Sequence, residues 1–182
     1  MTAGQADQGE VERFWTVARS QARITAMPGY FGPTTLEVLP PPAWSFGATP
    51  EQADELLSLV LDGRKTATAS AGRAYEAAGE PLPEIGTLGI LLDGAGHPQA
   101  LIETIEVSVV RFDEVTEEHA HAEGEGDRSL AHWRTAHERF FSVHAGDERG
   151  FAHDMPRRAG ALPADPPRVR RTPRSARGES CV

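Results

Sequence analysis

The chain has almost no cysteine for disulfide bonds and no long apolar run for a membrane span. Its only cysteine is Cys181, so neither a disulfide within one chain nor a cysteine metal site is available. No run approaches the roughly 20 consecutive apolar residues of a membrane span. The N-terminus MTAGQADQGE also lacks the basic and apolar regions of a secretory signal. We therefore expect a cytoplasmic protein without a membrane partner, stabilised by packing.

Lysine is almost absent as well. Of the 18 basic residues, Lys65 is the single lysine and all others are arginine. Arg and Lys interchange readily on solvated surfaces, so this exception indicates that position 65 needs an ammonium, a compact point donor suited to base or carbonyl-polarising chemistry. The other interpretation is a solvated surface lysine retained by chance.

Charge is divided unevenly along the chain. Residues 157–182 contain seven Arg against Asp165 and Glu179, a net charge of +5, and since the total is −9, residues 1–156 carry −14. A body this acidic repels phosphate backbones, which argues against broad nonspecific nucleic-acid binding. A nucleoside or another compact ligand fits better.

Local patterns predict an α+β fold. At Thr49-Pro50-Glu51-Gln52, a Thr N-cap, Pro at the first position and Gln three residues after the Thr predict the start of a helix that ends before Gly63. Strands are predicted over 65–70, 87–92 and 99–110, with a hairpin turn at 93–96. Further helices are predicted over 9–23 and 116–122 and around Trp133 and His137, with a helical turn at 75–78 and an ordered loop over 25–47. The predicted organisation is a disordered N-terminus (1–8), one domain (9–156) and a disordered Arg- and Pro-rich tail (157–182).

Two segments carry candidate chemistry. Gly63-Arg64-Lys65-Thr66-Ala67-Thr68 has the form G-x-K-x-x-T at a helix-to-strand junction. Residues 65 and 68 of a regular strand point to opposite faces, so a shared site requires a bend near its start. In the second segment, residues 119–134, Glu123 ends a helical turn and Glu125 follows in a Gly-flanked loop that could enter a pocket. The plain alternatives are a solvated loop lysine beside a strand threonine and a charged connection capped by Asp127.

A metal site is not expected. His119 and His121 alternate within a predicted helix, about 200° apart, and the other five histidines show no ligand spacing.

The chain resembles the ASCH domain family. The resemblance rests on the GRKTAT segment, on Pro83 to Gly86, on Phe112-Asp113-Glu114-Val115 and above all on AEGEGDRSLAHWR, and it covers about residues 10–156. It implies a PUA-like fold, a small mixed β-barrel with flanking helices, and recognition of a modified nucleoside or RNA. Neither a cofactor nor an obligatory protein partner is expected.

Some small bacterial members of this family are amidohydrolases that deacetylate N4-acetylcytidine. The resemblance to them implies that Thr68 attacks the acetyl carbonyl, Lys65 takes its proton or polarises the oxygen, and Glu123 protonates the departing nitrogen. A desolvated lysine is a plausible activator of a hydroxyl nucleophile. Flanking substrate-binding residues are then expected among Arg64, Ser70, Arg73 and Glu125. The GEGD loop and the greater length depart from these hydrolases, so a non-catalytic RNA-binding module and a ribonuclease stay open.

The C-terminal segment departs from the resemblance too. ASCH chains of this subgroup resemble one another in closing with a strand of the type M-P-V-V-x-E-R-F, whereas Met155-Pro156 is followed here by RRAGALPAD. In one possible coding sequence, removing a single base turns PRRAGALPAD into P-V-V-L-E-R-F-R-L. We therefore hypothesise that the tail from about Arg157 is a frameshift product, and we expect the lost strand to leave an exposed sheet edge.

Overall fold

The computed structural model describes residues 6–21, 39–144 and 156–161. These residues contain helices and strands in mixed order. The helices are α1 (Gln8–Gln21), α2 (Pro50–Leu61), α3 (Gly72–Ala78), α4 (Glu117–Glu123) and α5 (Leu130–His144), with a short 3-10 helix at Phe112–Glu114. The strands are β1 (Ala43–Trp44), β2 (Ala67–Ala71), β3 (Leu88–Leu92), β4 (Pro98–Glu103), β5 (Glu106–Arg111) and β6 (Pro156–Ala161).

Helix α2 begins where its capping signals predict. The Thr49 hydroxyl accepts a hydrogen bond from the Gln52 amide at 3.3 Å, and the Gln52 side chain accepts one from the Ala48 amide at 2.9 Å. This exchange satisfies backbone donors that the first helical turn leaves open. Burial of Leu57 and Val60 then fixes the helix against the first sheet.

The six strands within the described residues form two three-stranded sheets. In the first, β3 lies between β1, which it pairs in parallel, and β4, which it pairs antiparallel. In the second, β6 lies between β2 and β5 and is antiparallel to both. The predicted α+β class is confirmed. Among the described residues no strand pairing joins the two sheets, so the expected barrel is not closed there by hydrogen-bonded strands.

The long strand predicted over 99–110 is wrong in one respect, because the chain changes sheets within it. Thr104 is the last residue to pair with the first sheet, through backbone hydrogen bonds with Thr87 at 2.8 Å and Gly86 at 2.7 Å. Two residues later β5 starts in the second sheet.

The predicted hairpin turn at 93–96 is confirmed. The Asp93 carboxylate accepts hydrogen bonds from the Ala95 and His97 amides.

The first sheet has a hydrophobic cluster on each of its two sides, and the second sheet has a separate cluster of its own. Helix α2 packs on one side of the first sheet and α1 on the other, around Trp15 and Ile90. The second sheet packs against α4 and α5 around Phe112 and Trp133. The predicted helices at 9–23 and 116–122 are confirmed within their described parts, although Gln8 already belongs to α1 and β1 lies inside the predicted loop. None of the helices in the described ranges is long and apolar enough to cross a membrane.

The expectation of a disordered tail is wrong for residues 157–161, and so is the expected exposed edge. These residues belong to β6, the central strand of the second sheet. Position 157 pairs with Ala71, which is buried, and with Val110, which packs against the same cluster. A central strand favours β-branched residues and is weakened by an interior glycine such as Gly160, which is why composition here did not predict a strand. The rest of the predicted tail, 162–182, lies outside the described residues.

The hypothesis of a shifted reading frame predicts valine at positions 157 and 158. We expect the double variant Arg157→Val/Arg158→Val to raise the free energy of unfolding by about 1 to 2 kcal/mol, because both positions lie in a central strand. The matched control is Arg170→Val/Arg171→Val, which makes the same exchange at two positions beyond β6, so that the difference between the two variants reports the effect of the strand. Urea denaturation measures both, and a destabilised strand variant would contradict the hypothesis.

Candidate functional site

The single lysine is enclosed at the junction between α2 and β2. Its side chain is 1% exposed, and the ammonium donates to Glu123 Oε2 at 2.9 Å and to Glu125 Oε1 at 2.7 Å. The ring of Phe46 lies 5.3 Å from Nζ. An ammonium has three N–H donors, and here two of them bind carboxylates while an aromatic ring lies nearby, so Lys65 is held as a buried cation.

Glu123 ends helix α4 and is the centre of the cluster. Its side chain is 1% exposed. While Oε2 accepts from Lys65, Oε1 accepts from Trp133 Nε1 at 2.6 Å and contacts His119 Nε2 at 3.0 Å. His137 Nε2 lies 3.6 Å from the same oxygen. Each oxygen of the carboxylate therefore has at least one donor, as a buried charge requires.

A tight loop brings the two carboxylates to the lysine. Gly124 ends α4 with φ +73°, in the left-handed region that glycine adopts without strain. A Cβ at this position would clash with the carbonyl oxygen of Arg64. The Thr66 amide donates to the Ala122 carbonyl at 2.7 Å, and Arg128 donates to the Arg64 carbonyl at 3.2 Å. These contacts hold the loop in the position from which Glu123 and Glu125 both reach the ammonium.

Burial and neighbouring charges shift the pKa values of Glu123 and Lys65 in opposite directions. Burial alone would raise the pKa of Glu123, but the Lys65 ammonium and the contacts with His119 and His137 outweigh it and hold this pKa well below its ordinary value. Burial alone would lower the pKa of Lys65, but the carboxylates of Glu123 and Glu125 outweigh it and raise this pKa. Both groups are therefore ionised at neutral pH.

The three ring side chains around Glu123 form one stack and one edge contact. His137 stacks on Trp133 with ring centroids 4.2 Å apart, and its Nδ1 donates to the Trp133 carbonyl at 3.0 Å. His119 meets Trp133 edge to face, with centroids 6.2 Å apart. Helix α5 thus supplies two of the contacts that hold Glu123.

A cavity of about 300 Å³ lies beside this cluster, between the second sheet and α4. His119 belongs to both, because its Nε2 contacts Glu123 and the residue is part of the cavity lining. Three carboxylate residues also line it, Glu106, Glu114 and Glu118. The other lining residues described are Ala67, Ser108, Val110, Val115, Thr116 and Ala122.

The structure brings together some of the residues singled out in the sequence and not others. Lys65, Glu123 and Glu125 are in contact. Thr68 lies within β2 on the strand face opposite Ala67 and Ala69, and no hydrogen bond within the described part of the chain joins its hydroxyl to Lys65 or Glu123.

The proposed flanking residues are dispersed. The Arg64 side chain is exposed and only its carbonyl takes part, through Arg128. The Ser70 hydroxyl lies 3.4 Å from the Tyr75 hydroxyl. Arg73 lies in α3, and its side chain is outside the described structure. Across the described ranges, no group of three or more His, Cys, Asp or Glu residues could hold a metal ion.

Sequence reasoning missed His119, Trp133 and His137 as partners of Glu123. The sequence predicts a helix around Trp133 and His137 but no contact of either residue with Glu123, and it presents His119 as a possible metal ligand. A usable signal existed, since His119 and Glu123 are four residues apart on one helix and so lie on the same face. Nothing in the periodicity of α5 indicates that its buried face meets a carboxylate.

These observations define a class of protein: an α+β fold with a buried Lys–Glu pair at a helix-to-strand junction. The family model for the ASCH domain matches residues 42–156. The chain belongs to the ASCH domain family.

Two crystal structures are similar over most of the chain. One is protein EF3133 from Enterococcus faecalis V583, with the family designation DUF984: 32% identity, TM-score 0.72, covering 86% of this chain and 88% of that chain. The other is an ASCH domain from Lactobacillus crispatus JV V101: 30% identity, TM-score 0.70, covering 85% of this chain and 95% of that one. No curated protein matches.

Removing the central carboxylate should destabilise the fold strongly. We expect Glu123→Gln to lower the free energy of unfolding by about 3 to 5 kcal/mol, because it breaks a buried ion pair and leaves Lys65 undercompensated. Glu138→Gln, an exposed exchange of the same kind on α5, should stay within about 0.5 kcal/mol. Chemical denaturation of the two variants measures the difference, and equal effects would show that the pair is not important for stability.

The same pair predicts how stability depends on pH. The folded pKa of Glu123 is lowered, so its contribution is complete above the unfolded value of about 4.3 and is lost as pH falls through the folded value. The folded pKa of Lys65 is raised, so its contribution is complete below the unfolded value of about 10.4 and is lost as pH rises through the folded value.

We therefore expect the stability difference between the wild type and Lys65→Met to be largest around neutral pH and to shrink towards both extremes. Urea denaturation as a function of pH measures it. A difference that grows towards acid or alkali would contradict the assigned charges.

Proposed function

We propose that this ASCH protein recognises a modified nucleoside or RNA base in the cavity between the second sheet and α4. The observation that carries the proposal is His119, which lines a cavity of about 300 Å³ and contacts the buried Lys65–Glu123 pair through Glu123. A cavity of this size lies at the lower limit of small-molecule sites. The two sheets are proposed to correspond to parts of a PUA-like barrel.

The negative charge around the cavity supports the proposal of a compact, uncharged ligand. The cavity is lined by Glu106, Glu114 and Glu118, and residues 1–156 carry a net charge of −14. Carboxylates repel phosphate groups, so a free nucleoside fits this cavity better than a nucleotide. The proposed location is the cytoplasm, with no membrane or obligatory protein partner.

The finer proposal is hydrolysis of an N4-acylcytidine-type amide. It is supported by the resemblance at Lys65, Thr68 and Glu123, and by the contact between two of these residues. An attack by Thr68 requires its hydroxyl to come within hydrogen-bond reach of an activating group. Arg64, Ser70, Arg73 and Glu125 are the residues proposed to contact the substrate.

A non-catalytic RNA-binding module is the second candidate. The observation that favours it is the enclosure of Lys65 and Glu123, whose side chains are each 1% exposed and bind each other. Groups so enclosed stabilise a fold without touching a ligand. Binding of this kind would show salt-dependent affinity for oligonucleotides and no turnover.

Turnover of N4-acetylcytidine decides between the two. We expect the wild type to release acetate and Lys65→Arg to lose at least about 100-fold in kcat, because a guanidinium does not fit as the compact point donor between Glu123 and Glu125. Arg139→Lys, an exposed exchange in the opposite sense, should leave kcat unchanged. The Arg157→Val/Arg158→Val protein is assayed in parallel.

Folding of each protein is verified by circular dichroism. Folded proteins that bind oligonucleotides with a steep salt dependence and release no acetate would reject hydrolysis and favour the RNA-binding module.

A further inference from the structure

Glu123 is poorly suited to the role of proton donor. Its Oε1 contacts Trp133 Nε1 at 2.6 Å and His119 Nε2 at 3.0 Å, and its Oε2 contacts Lys65 at 2.9 Å. A carboxyl group that accepts hydrogen bonds at both oxygens is held in its ionised form. It has no proton to give, and at 1% exposure it has no direct contact with a ligand.

Lys65 and His137 are enclosed in the same way. The ammonium of Lys65 is bound by two carboxylates and its side chain is 1% exposed. His137 is buried, with Nδ1 donating to the Trp133 carbonyl and Nε2 facing Glu123. Neither residue lines the cavity.

His119 is the member of the cluster that also lines the cavity. The partner of its Nε2 is an ionised carboxylate, which can only accept, so Nε2 carries the hydrogen in this contact. In a neutral imidazole the other nitrogen is then the unprotonated one. Within the described residues Nδ1 has no hydrogen-bond partner, and the side chain is 13% exposed.

We infer that His119 is the catalytic acid–base group of this site, and that Glu123 is a positioning residue that fixes its tautomer. This inference rests on the proposed amide hydrolysis. The arrangement is that of a histidine–carboxylate pair, in which the carboxylate orients the ring and stabilises the imidazolium without itself becoming protonated.

The proton steps balance. Nδ1 of His119 takes a proton from water as the water oxygen forms a bond to the amide carbonyl carbon. The resulting imidazolium lies against the Glu123 carboxylate. When the carbon–nitrogen bond breaks, Nδ1–H returns its proton to the departing amine nitrogen, so that one water and one amide give one carboxylic acid and one amine. In this route water replaces the Thr68 hydroxyl as nucleophile.

Among the described side chains, carboxylates from three elements lie around His119 or line the same cavity. Its own helix supplies Glu118 and Glu123, β5 supplies Glu106, and the 3-10 helix supplies Glu114. Lys65 and His137 act through Glu123, which both contact. The carboxylates lining the cavity oppose a phosphate-bearing substrate, which makes an uncharged acylated nucleoside the expected substrate class.

The test compares His119→Gln with His121→Gln. Glutamine at 119 retains an N–H donor for Glu123 but cannot act as an acid or base at neutral pH, while His121 is exposed on the same helix. With N4-acetylcytidine as the probe, we expect His119→Gln to lose at least about 100-fold in kcat, with KM changed less than kcat and the histidine limb of the pH profile removed. We expect His121→Gln to behave as the wild type.

Nitrogen NMR of the wild-type ring provides a readout without substrate, and we expect the neutral form of His119 to be protonated at Nε2. Protonation at Nδ1 would overturn the inference. An active wild type with an equally active His119→Gln would overturn it while leaving the proposed hydrolysis intact. A folded wild type that does not hydrolyse the probe would reject the proposed hydrolysis and, with it, the catalytic role of His119.

Discussion

The structure depends on the burial of one positive charge. The Lys65 ammonium lies between Glu123 and Glu125, and removing an ion from water costs several kcal/mol unless its partners are well placed. To meet that requirement, four parts of the chain must come together around the ammonium: the end of α2, the start of β2, the end of α4 and the loop after it. The close approach of Gly124 to the Arg64 carbonyl follows from the same requirement, because the loop must bring a second carboxylate within reach of the ammonium.

The same interaction links the fold to its proposed chemistry. A carboxylate held ionised by a lysine is a fixed negative charge. A histidine that donates a hydrogen bond to it carries its hydrogen on the donating nitrogen, which fixes the tautomer of the neutral ring. His119 meets this condition and also lines the cavity, so the structural ion pair and the proposed acid–base group belong to one network. The carboxylates among the described lining residues support the proposal of a ligand without phosphate, as does the acidic composition of residues 1–156.

The sequence predicted those parts of the molecule that local interactions determine. The cap at Thr49 and the turn at Asp93 are satisfied within a few residues, and both are found as predicted. The change of sheet at Thr104 was not predictable in this way, because it depends on pairing with Thr87 and Gly86 and no Gly or Pro marks the break. Position 157 is a third kind of case, since the pairing with β2 and β5 overrides the poor strand propensity of its surroundings.

The site was partly predictable for a similar reason. The exceptional status of Lys65 drew attention to the correct position, and the Gly-flanked loop indicated Glu123 and Glu125. The contacts of Trp133 and His137 with Glu123 join two helices, and periodicity within either helix reveals only which face is buried.

A double-mutant cycle on Lys65 and Glu123 tests the central claim, that a mutually compensated charge pair organises this structure. The free energies of unfolding of Lys65→Met, Glu123→Gln and the double variant are compared with that of the wild type. We predict that the double variant is less destabilised than the sum of the single variants by at least about 2 kcal/mol, because each single variant leaves a buried charge without its partner. Additive effects would contradict the account, since they would mean that the two side chains stabilise the protein independently.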